Sequence, residues 1–492
     1  MSKTHTSPPD RETVVVTAGN ADEAIAQISL VLAAQPDYFR LGSSIVRIDD
    51  RDKLHTLTAD TALIEVSRYV DLQKLIFRKG EWEQVSVDLS APLAKALVAC
   101  APSSAFRELV GFADGVILRA DGSVRTKAGY DAITKLWLRN PIKVKLMPID
   151  KAVKVLRSLV AEFPFADHDA DFAVWLAMIL TPLARHLIDG CVPALAFSAT
   201  TKGAGKGKLI ETAITISSGD CEPGRVGKEG TTEARKKITT YMLDGRRHFL
   251  TDDIKRPFGN DVIDEFLTAT TYTDRKLGGS TSVARKNLVT WYVTGNSLQL
   301  ASDTGRRCLI GVINPECEHA EDRVFDADPV TVAKKLRPRF LSAAISILIA
   351  HAKDNRPQYV QPLGSFEAWT NAVADAIVHA CGKRADIRTV FDRQREDADQ
   401  DRQAKRHLFA CLKIMFGSRK FSSSEVIKRF DSKSDLKEAV AMLLDDRSRV
   451  DDVRAIGFLL GHLVGGQHDG IEMIKAGRDR FGTRYQMRSV DS

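Results

Sequence analysis

The sequence predicts an α/β protein: a core built on a parallel sheet, preceded by an α+β domain and followed by a helical domain that ends in a β-hairpin. Three observations carry this. Short apolar runs at 194–198, 249–251, 289–294 and 309–313 alternate with stretches of helical spacing, as strands buried on both faces of a parallel sheet do. A glycine-rich turn, TTKGAGKGK, follows the first of these runs directly. From 401 on, helical pieces at 407–416, 424–430, 435–444 and 456–463 precede two strand-like pieces at 471–474 and 484–488, the order of a winged helix.

At 492 residues the chain exceeds a single ordinary core. Residues 1–12, MSKTHTSPPDRE, are polar with no apolar stretch, so a disordered tail is expected there and no secretion signal. Between 13 and 145, β-branched runs at 13–16 and 45–48, helical spacing at 23–34 and the turns LGS and DGS predict the α+β domain. A core domain over 146–355 follows, with a helical lead-in at 146–190, the sheet at 191–316 and a closing helical segment at 330–352. Residues 356–400 are expected to form a helical, charged linker, with the run KRADIRTVFDRQREDADQD at 383–401 read as a solvated helix or linker. The winged-helix-like domain occupies 401–492.

Bulk properties exclude more than they select. A formal charge of +7 permits a polyanionic partner without demanding one. The seven cysteines form no C-x-x-C pair, which argues against a zinc ribbon and suits a reducing, cytoplasmic setting. No apolar run of about 18 residues occurs, so no membrane partner is expected.

The loop Thr200, Thr201, Lys202, Gly203, Ala204, Gly205, Lys206, Gly207, Lys208 lies between a buried strand and a helix. Small residues let successive backbone N–H groups converge on phosphate oxygens. The helix start adds partial positive charge, and a lysine reaches the terminal phosphates. The register that best fits such a loop makes Lys206 the phosphate lysine and leaves Lys208 as the weaker candidate. It puts Thr200 where a first glycine is usual, and Gly207 where a Mg²⁺-binding hydroxyl is usual. Further along, the run HFLT ends in Asp252 and Asp253. An ATPase needs one carboxylate for Mg²⁺ and another to orient or deprotonate the attacking water, so Asp252 is assigned the metal and Asp253 the water. The strand LVTWYVT ends in Gly295 and Asn296, whose amide could reach the γ-phosphate or the water. Arg306 and Arg307 precede the next strand, where an arginine can stabilise charge across a subunit boundary; Arg306 is the preferred candidate. Each signal is weak alone. Together, in this order, they predict an ATPase with ATP and Mg²⁺ as cofactors.

On these residues the chain resembles the AAA+ ATPase half of superfamily 3-like helicases in phage- and plasmid-type primase–helicase proteins. The likeness runs through GAGKG, TDD, TYTDRKLGGSTSVARKNLVTWYVTGN and DTGRR, with ADGSVRTKAGYD before and LGSFEAWTNAV after the core. It implies a P-loop core, a hexameric ring, ATP hydrolysis at subunit boundaries and translocation on single-stranded or forked DNA in a phage-like mobile element. It also implies a DNA-facing hairpin carrying Arg275, Lys276, Arg285 and Lys286 around Gly278 and Gly279. No primase constellation is present: the cluster Asp167, His168, Asp169, Asp171 reads as a helix cap, so a primase or polymerase would be a separate partner. Two other functions remain open. One is a DNA-binding initiator or loader that uses ATP for assembly and binds duplex through Arg478, Arg480, Arg484 and Arg488. The other is a defence or packaging NTPase with the same core.

Overall fold

The computed structural model describes residues 11–17, 19–101, 104–201, 203–220, 222–275, 282–301, 304–315, 325–430, 435–444, 449–479 and 482–489, with backbone alone at 282, 283 and 397–401. The expected tail lies almost wholly outside these residues. The fold is mixed α/β and divides into two compact units, 1–390 and 391–492.

The first unit opens with β1 (Glu12–Val15), α1 (Ala21–Ala34), β2 (Tyr38–Leu41), β3 (Ser44–Ile48) and β4 (Leu54–Thr56). Then come α2 (Ala59–Ser67), β5 (Val70–Arg78), β6 (Glu81–Ser86), α3 (Ala91–Cys100) and β7 (Glu108–Leu109). Two small sheets, ordered β1-β5-β6 and β4-β3-β2-β7, share these strands. Their helices bury Ile28, Leu32, Ala62, Val66 and Leu97 in a core of their own. β8 (Gly111–Asp114), β9 (Ile117–Leu118), β10 (Val124–Arg125), β11 (Gly129–Asp131) and β12 (Leu136–Arg139) follow. Here the expected boundary near 145 is not a separation. Ala113, Ile117, Leu136 and Leu138 pack with Leu288 of the following domain, and Arg247 donates to the carbonyls of Phe112 and Pro182 at 2.7 Å.

The lead-in is α4 (Ile149–Leu159) and α5 (Ala170–Ala184), the latter buried along its whole length. Next are β13 (Ala194–Ala199), α6 (Lys206–Ser218), β14 (Gly224–Arg225), α7 (Thr231–Leu243), β15 (His248–Ile254) and α8 (Asp261–Thr268). A hairpin, β16 (Thr271–Arg275) and β17 (Ser282–Lys286), precedes β18 (Thr290–Asn296) and β19 (Cys308–Ile313). β14, β15, β18, β13 and β19 form one five-stranded sheet in that order, and every pairing in it is parallel. Period-2 alternation sends neighbouring residues to opposite faces. Trp291 and Phe249 pack with Ile238, Met242 and Phe266 of α7 and α8. Tyr292 turns the other way and donates to the Met178 carbonyl of α5 at 3.1 Å. Burying side chains such as Phe249 contributes about 1.5–3 kcal/mol each.

α9 (Pro329–Lys335), α10 (Arg337–Lys353), α11 (Glu367–Trp369) and α12 (Asp375–Cys381) complete the unit. This corrects the linker expected over 356–400, because its first part is core. Trp369 is fully buried and donates to Thr181 of α5 at 3.0 Å. Asp375 accepts from the Tyr359 and Val360 amides. The charged run misled by its composition; the apolar Trp369, Val373 and Ile377 before it decide the packing.

The second unit contains most of α13 (Ile387–Phe416), then α14 (Ser423–Ile427), α15 (Asp435–Ala441), α16 (Val453–Leu463), β20 (Gln467–His468), β21 (Ile471–Asp479) and β22 (Gly482–Ser489). Leu408, Leu412, Phe421, Leu460, Met473 and Met487 form its core.

Candidate active site

The carboxyl ends of β13, β15 and β18 converge on one edge of the sheet. β13 runs into the glycine loop, and Gly203 and Gly205 both adopt positive φ (72° and 95°). At Gly205 a Cβ would come within 2.9 Å of the Phe163 ring. Only glycine satisfies the backbone and the space together. Phe163 is held because the segment around it pairs with β19: Asn314 N–H donates to the Pro164 carbonyl at 2.9 Å and Ala166 N–H to Val312 at 3.0 Å. Asp171 receives the Val312 amide at 3.1 Å, and Asp167 receives Ala170 at the start of α5, so these acids order the lead-in.

Lys206 begins α6 with 8% of its surface exposed. Its ammonium donates to Asn296 Oδ1 at 2.6 Å and to the Thr201 carbonyl at 3.4 Å. Both partners are neutral, and burial pushes the Lys206 pKa down against the pull of Asp253 and Asp252. The buried Thr201 Oγ1 has no hydrogen-bond partner among the described residues. A desolvated cation without a carboxylate contact and an orphaned hydroxyl, at a helix start, fit an anionic group. Lys208 differs: its ammonium lies 2.8 Å from Asp328 Oδ1, and that hydrogen bond comes first among the causes holding Asp328 at about 2. Lys202 lies outside the described residues.

Asp252 and Asp253 sit where the β15–β18 register shifts, between Thr251 and Ile254. Asp253 has φ 48°, an uncommon backbone for a non-glycine residue. Thr294 links the pair, accepting the Asp253 amide at 2.6 Å and donating to Asp252 Oδ1 at 2.7 Å. Sequence reading missed Thr294, although its place two residues before Asn296 puts it on the same strand face. It also missed Arg225, 3.7 Å from Asp252 on a two-residue strand that has no apolar signature.

No family model matches the chain, and no curated protein matches it. Among solved structures it is similar to the apo C-terminal region of NrS-1, at 12% identity, covering 85% of this chain and 93% of that one with a TM-score of 0.33. The SCCmec type IV Cch active helicase is similar at 10% identity, 93% and 98% coverage and a TM-score of 0.34. JCV helicase is similar at 12% identity, 49% and 69% coverage and a TM-score of 0.23. Superpositions this loose do not establish a shared fold.

The remaining expected residues separate by environment. Arg306 is exposed on the short turn of helix Thr304–Arg306. Arg307 is largely buried, 3.1 Å from Asp264 of α8, which also accepts from Thr304 at 2.8 Å. On the β16–β17 hairpin, Arg275 and Lys286 are exposed, and Lys276 lies outside the described residues. Arg285 requires a correction. Expected to face DNA, it is 3% exposed, donates to the Leu41 carbonyl, and is pushed down to about 10 by burial. Gly42 makes this possible, since a Cβ there would lie 1.9 Å from the Ala284 carbonyl. In the second unit Arg484 bonds Glu425 and Asp479, and Arg488 bonds Glu472 at 2.6 Å. Arg478 is exposed and Arg480 lies outside the described residues.

Among the described residues no group of three or more His, Cys, Asp or Glu could hold a metal ion by itself. None of the described helices is long and apolar enough to cross a membrane.

Proposed function

We propose that the chain is a P-loop ATPase of the AAA+ class that assembles as a ring and moves on single-stranded DNA. The observation that carries this is the buried Lys206 ammonium, held among the described residues only by the neutral oxygens of Thr201 and Asn296, with Asp252 and Asp253 nearby. The loop amides and Lys206 bind the terminal phosphates. Asn296, already at Lys206, exchanges that contact for one to the γ-phosphate or the lytic water. Asp252 would hold a Mg²⁺ ion, which when bound would supply positive charge to offset that on the transferred phosphoryl group. Asp253, exposed and fixed through its own amide, orients the water and takes its proton as the bond to the β-phosphate oxygen breaks. Arg306 serves the nucleotide of a neighbouring subunit. Arg275, Lys276 and Lys286 contact phosphates of the strand. The strand order β14-β15-β18-β13-β19 supports the class, because one strand separates the glycine-loop strand from the carboxylate strand. The second unit, three helices and a terminal hairpin after α13, is read as a winged helix.

An initiator that grips duplex through the wing is less well supported, since Arg484 and Arg488 are already paired with carboxylates. The test is hydrolysis with and without single-stranded DNA, together with displacement on a forked duplex and a size measurement. Stimulated hydrolysis, ATP-dependent strand separation and a ring-sized particle are expected. Hydrolysis with a duplex footprint and no displacement would favour the initiator.

A further inference from the structure

Far along the sequence from the ATPase residues, β5 and β6 are joined by Lys79 and Gly80, both at positive φ (50° and 92°). Two residues in that conformation form the tight turn whose twist suits a hairpin. The register then sets Phe77 opposite Trp82, with Arg78 opposite Glu81 closing the turn. The two rings lie 5.2 Å apart at 57°. They help hold the hairpin, yet Phe77 remains 58% and Trp82 68% exposed. Strand alternation divides the charges. Gln73, Leu75, Gln84 and Ser86 share the aromatic face with Asp71, which lies at the far end of β5 and accepts from Gln73 and Ser86, whereas Lys74, Arg78, Glu81 and Glu83 point to the other. Lys79 stands in the turn between the two faces, and it, Lys74 and Arg78 make no ion pair among the described residues.

We infer that this hairpin is a second nucleic-acid contact, a stacking platform for bases of single-stranded DNA. An exposed aromatic pair suits any base, because every base has a π-face. Beside the rings the face carries no carboxylate to repel the strand, and Lys79 in the turn meets a phosphate. A folded protein partner would more usually ask for a larger apolar patch than two rings. The inference builds on the DNA-directed function proposed above and adds a site outside the ATPase core. The N-terminal sheets then hold the strand at a place where Lys206 and the nucleotide play no part.

Tryptophan emission reports on it. Trp175, Trp291 and Trp369 are fully buried, and Trp137 is partly buried with its Nε1 donated to Asp52 at 2.7 Å, which leaves Trp82 as the most exposed. Titration of the full chain with oligo-dT, without nucleotide, is expected to quench the exposed fraction of the emission. Trp82→Phe removes the quench while affinity stays within about threefold, because phenylalanine still stacks. Phe77→Ala with Trp82→Ala weakens oligo-dT binding by about tenfold or more, with circular dichroism and basal ATP hydrolysis unchanged. Unaltered affinity and no quench would overturn the platform even if ATP-driven unwinding is present. A change of particle mass in the double variant, with DNA affinity intact, would overturn it too and mark a contact between copies. Quenching that persists in a chain without ATPase activity would keep the platform and sink the motor instead.

Discussion

Lys206 and Lys208 stand two residues apart on one helix, yet their surroundings are opposite. Lys206 is buried against neutral oxygens; Lys208 is half-exposed and already paired with Asp328. The two neighbouring arginines differ in exposure: Arg306 lies on the surface, whereas Arg307 is largely buried and tied to Asp264. In the second unit Arg484 and Arg488 are likewise bound to acids. A cation with a carboxylate at hydrogen-bond distance is committed to structure. One desolvated without such a partner retains its capacity for an incoming anion.

The largest effect is expected at the arginines. Arg306→Ala is expected to lower ATP turnover about a thousandfold while ATP still binds. Mixing it with Lys206→Ala should restore part of the activity if Arg306 acts on a neighbour's nucleotide. Arg307→Ala should instead lower stability by about 1–3 kcal/mol, read by denaturant melting, because Asp264 loses a charged partner. Stability loss at Arg306 and none at Arg307 would reverse the assignment.

The two aspartates come next. Asp253→Asn is expected to reduce the hydrolysis rate about a hundredfold with ATP affinity retained. Asp252→Asn should chiefly raise the Mg²⁺ concentration needed for half-maximal rate. Rates equal to wild type in both variants would place the catalytic carboxylates elsewhere.

A third change converts one kind of environment into the other. Asn296→Asp gives Lys206 a carboxylate at its present 2.6 Å contact. The lysine is then committed and a negative charge faces the phosphates, so ATP affinity measured by calorimetry should fall about tenfold or more. Undiminished affinity would mean that Asn296 lies outside the nucleotide's reach. The smallest effect is a gain. A Cβ at Gly207 would meet nothing within 4 Å and its φ is ordinary, so serine fits. Gly207→Ser should tighten Mg²⁺ dependence a few-fold, as seen in metal titrations of turnover.

Much of this site could be read from the sequence because its parts are local. An apolar strand ending in glycines, in two acids or in an asparagine announces itself within ten residues, and β13, β15, β18 and β19 lie where the apolar runs put them. What escaped depends on distant contacts. Arg285 resembles any hairpin cation until the turn at Gly42, far away in sequence, closes over it. β14 is two residues long and carries no periodicity, and the left-handed backbone of Asp253 leaves no mark in its neighbours. The segment before the charged run was misjudged because its few apolar residues were outweighed by the charges that follow.

The central claim, that Lys206 is the lysine on the nucleotide's phosphates, is tested most directly by comparing Lys206→Ala with Lys208→Ala in ATP binding and hydrolysis. The expected result is loss of hydrolysis by about a hundredfold or more at Lys206, and a change of no more than about threefold at Lys208. Retained hydrolysis in Lys206→Ala, with the loss falling on Lys208→Ala, would contradict it.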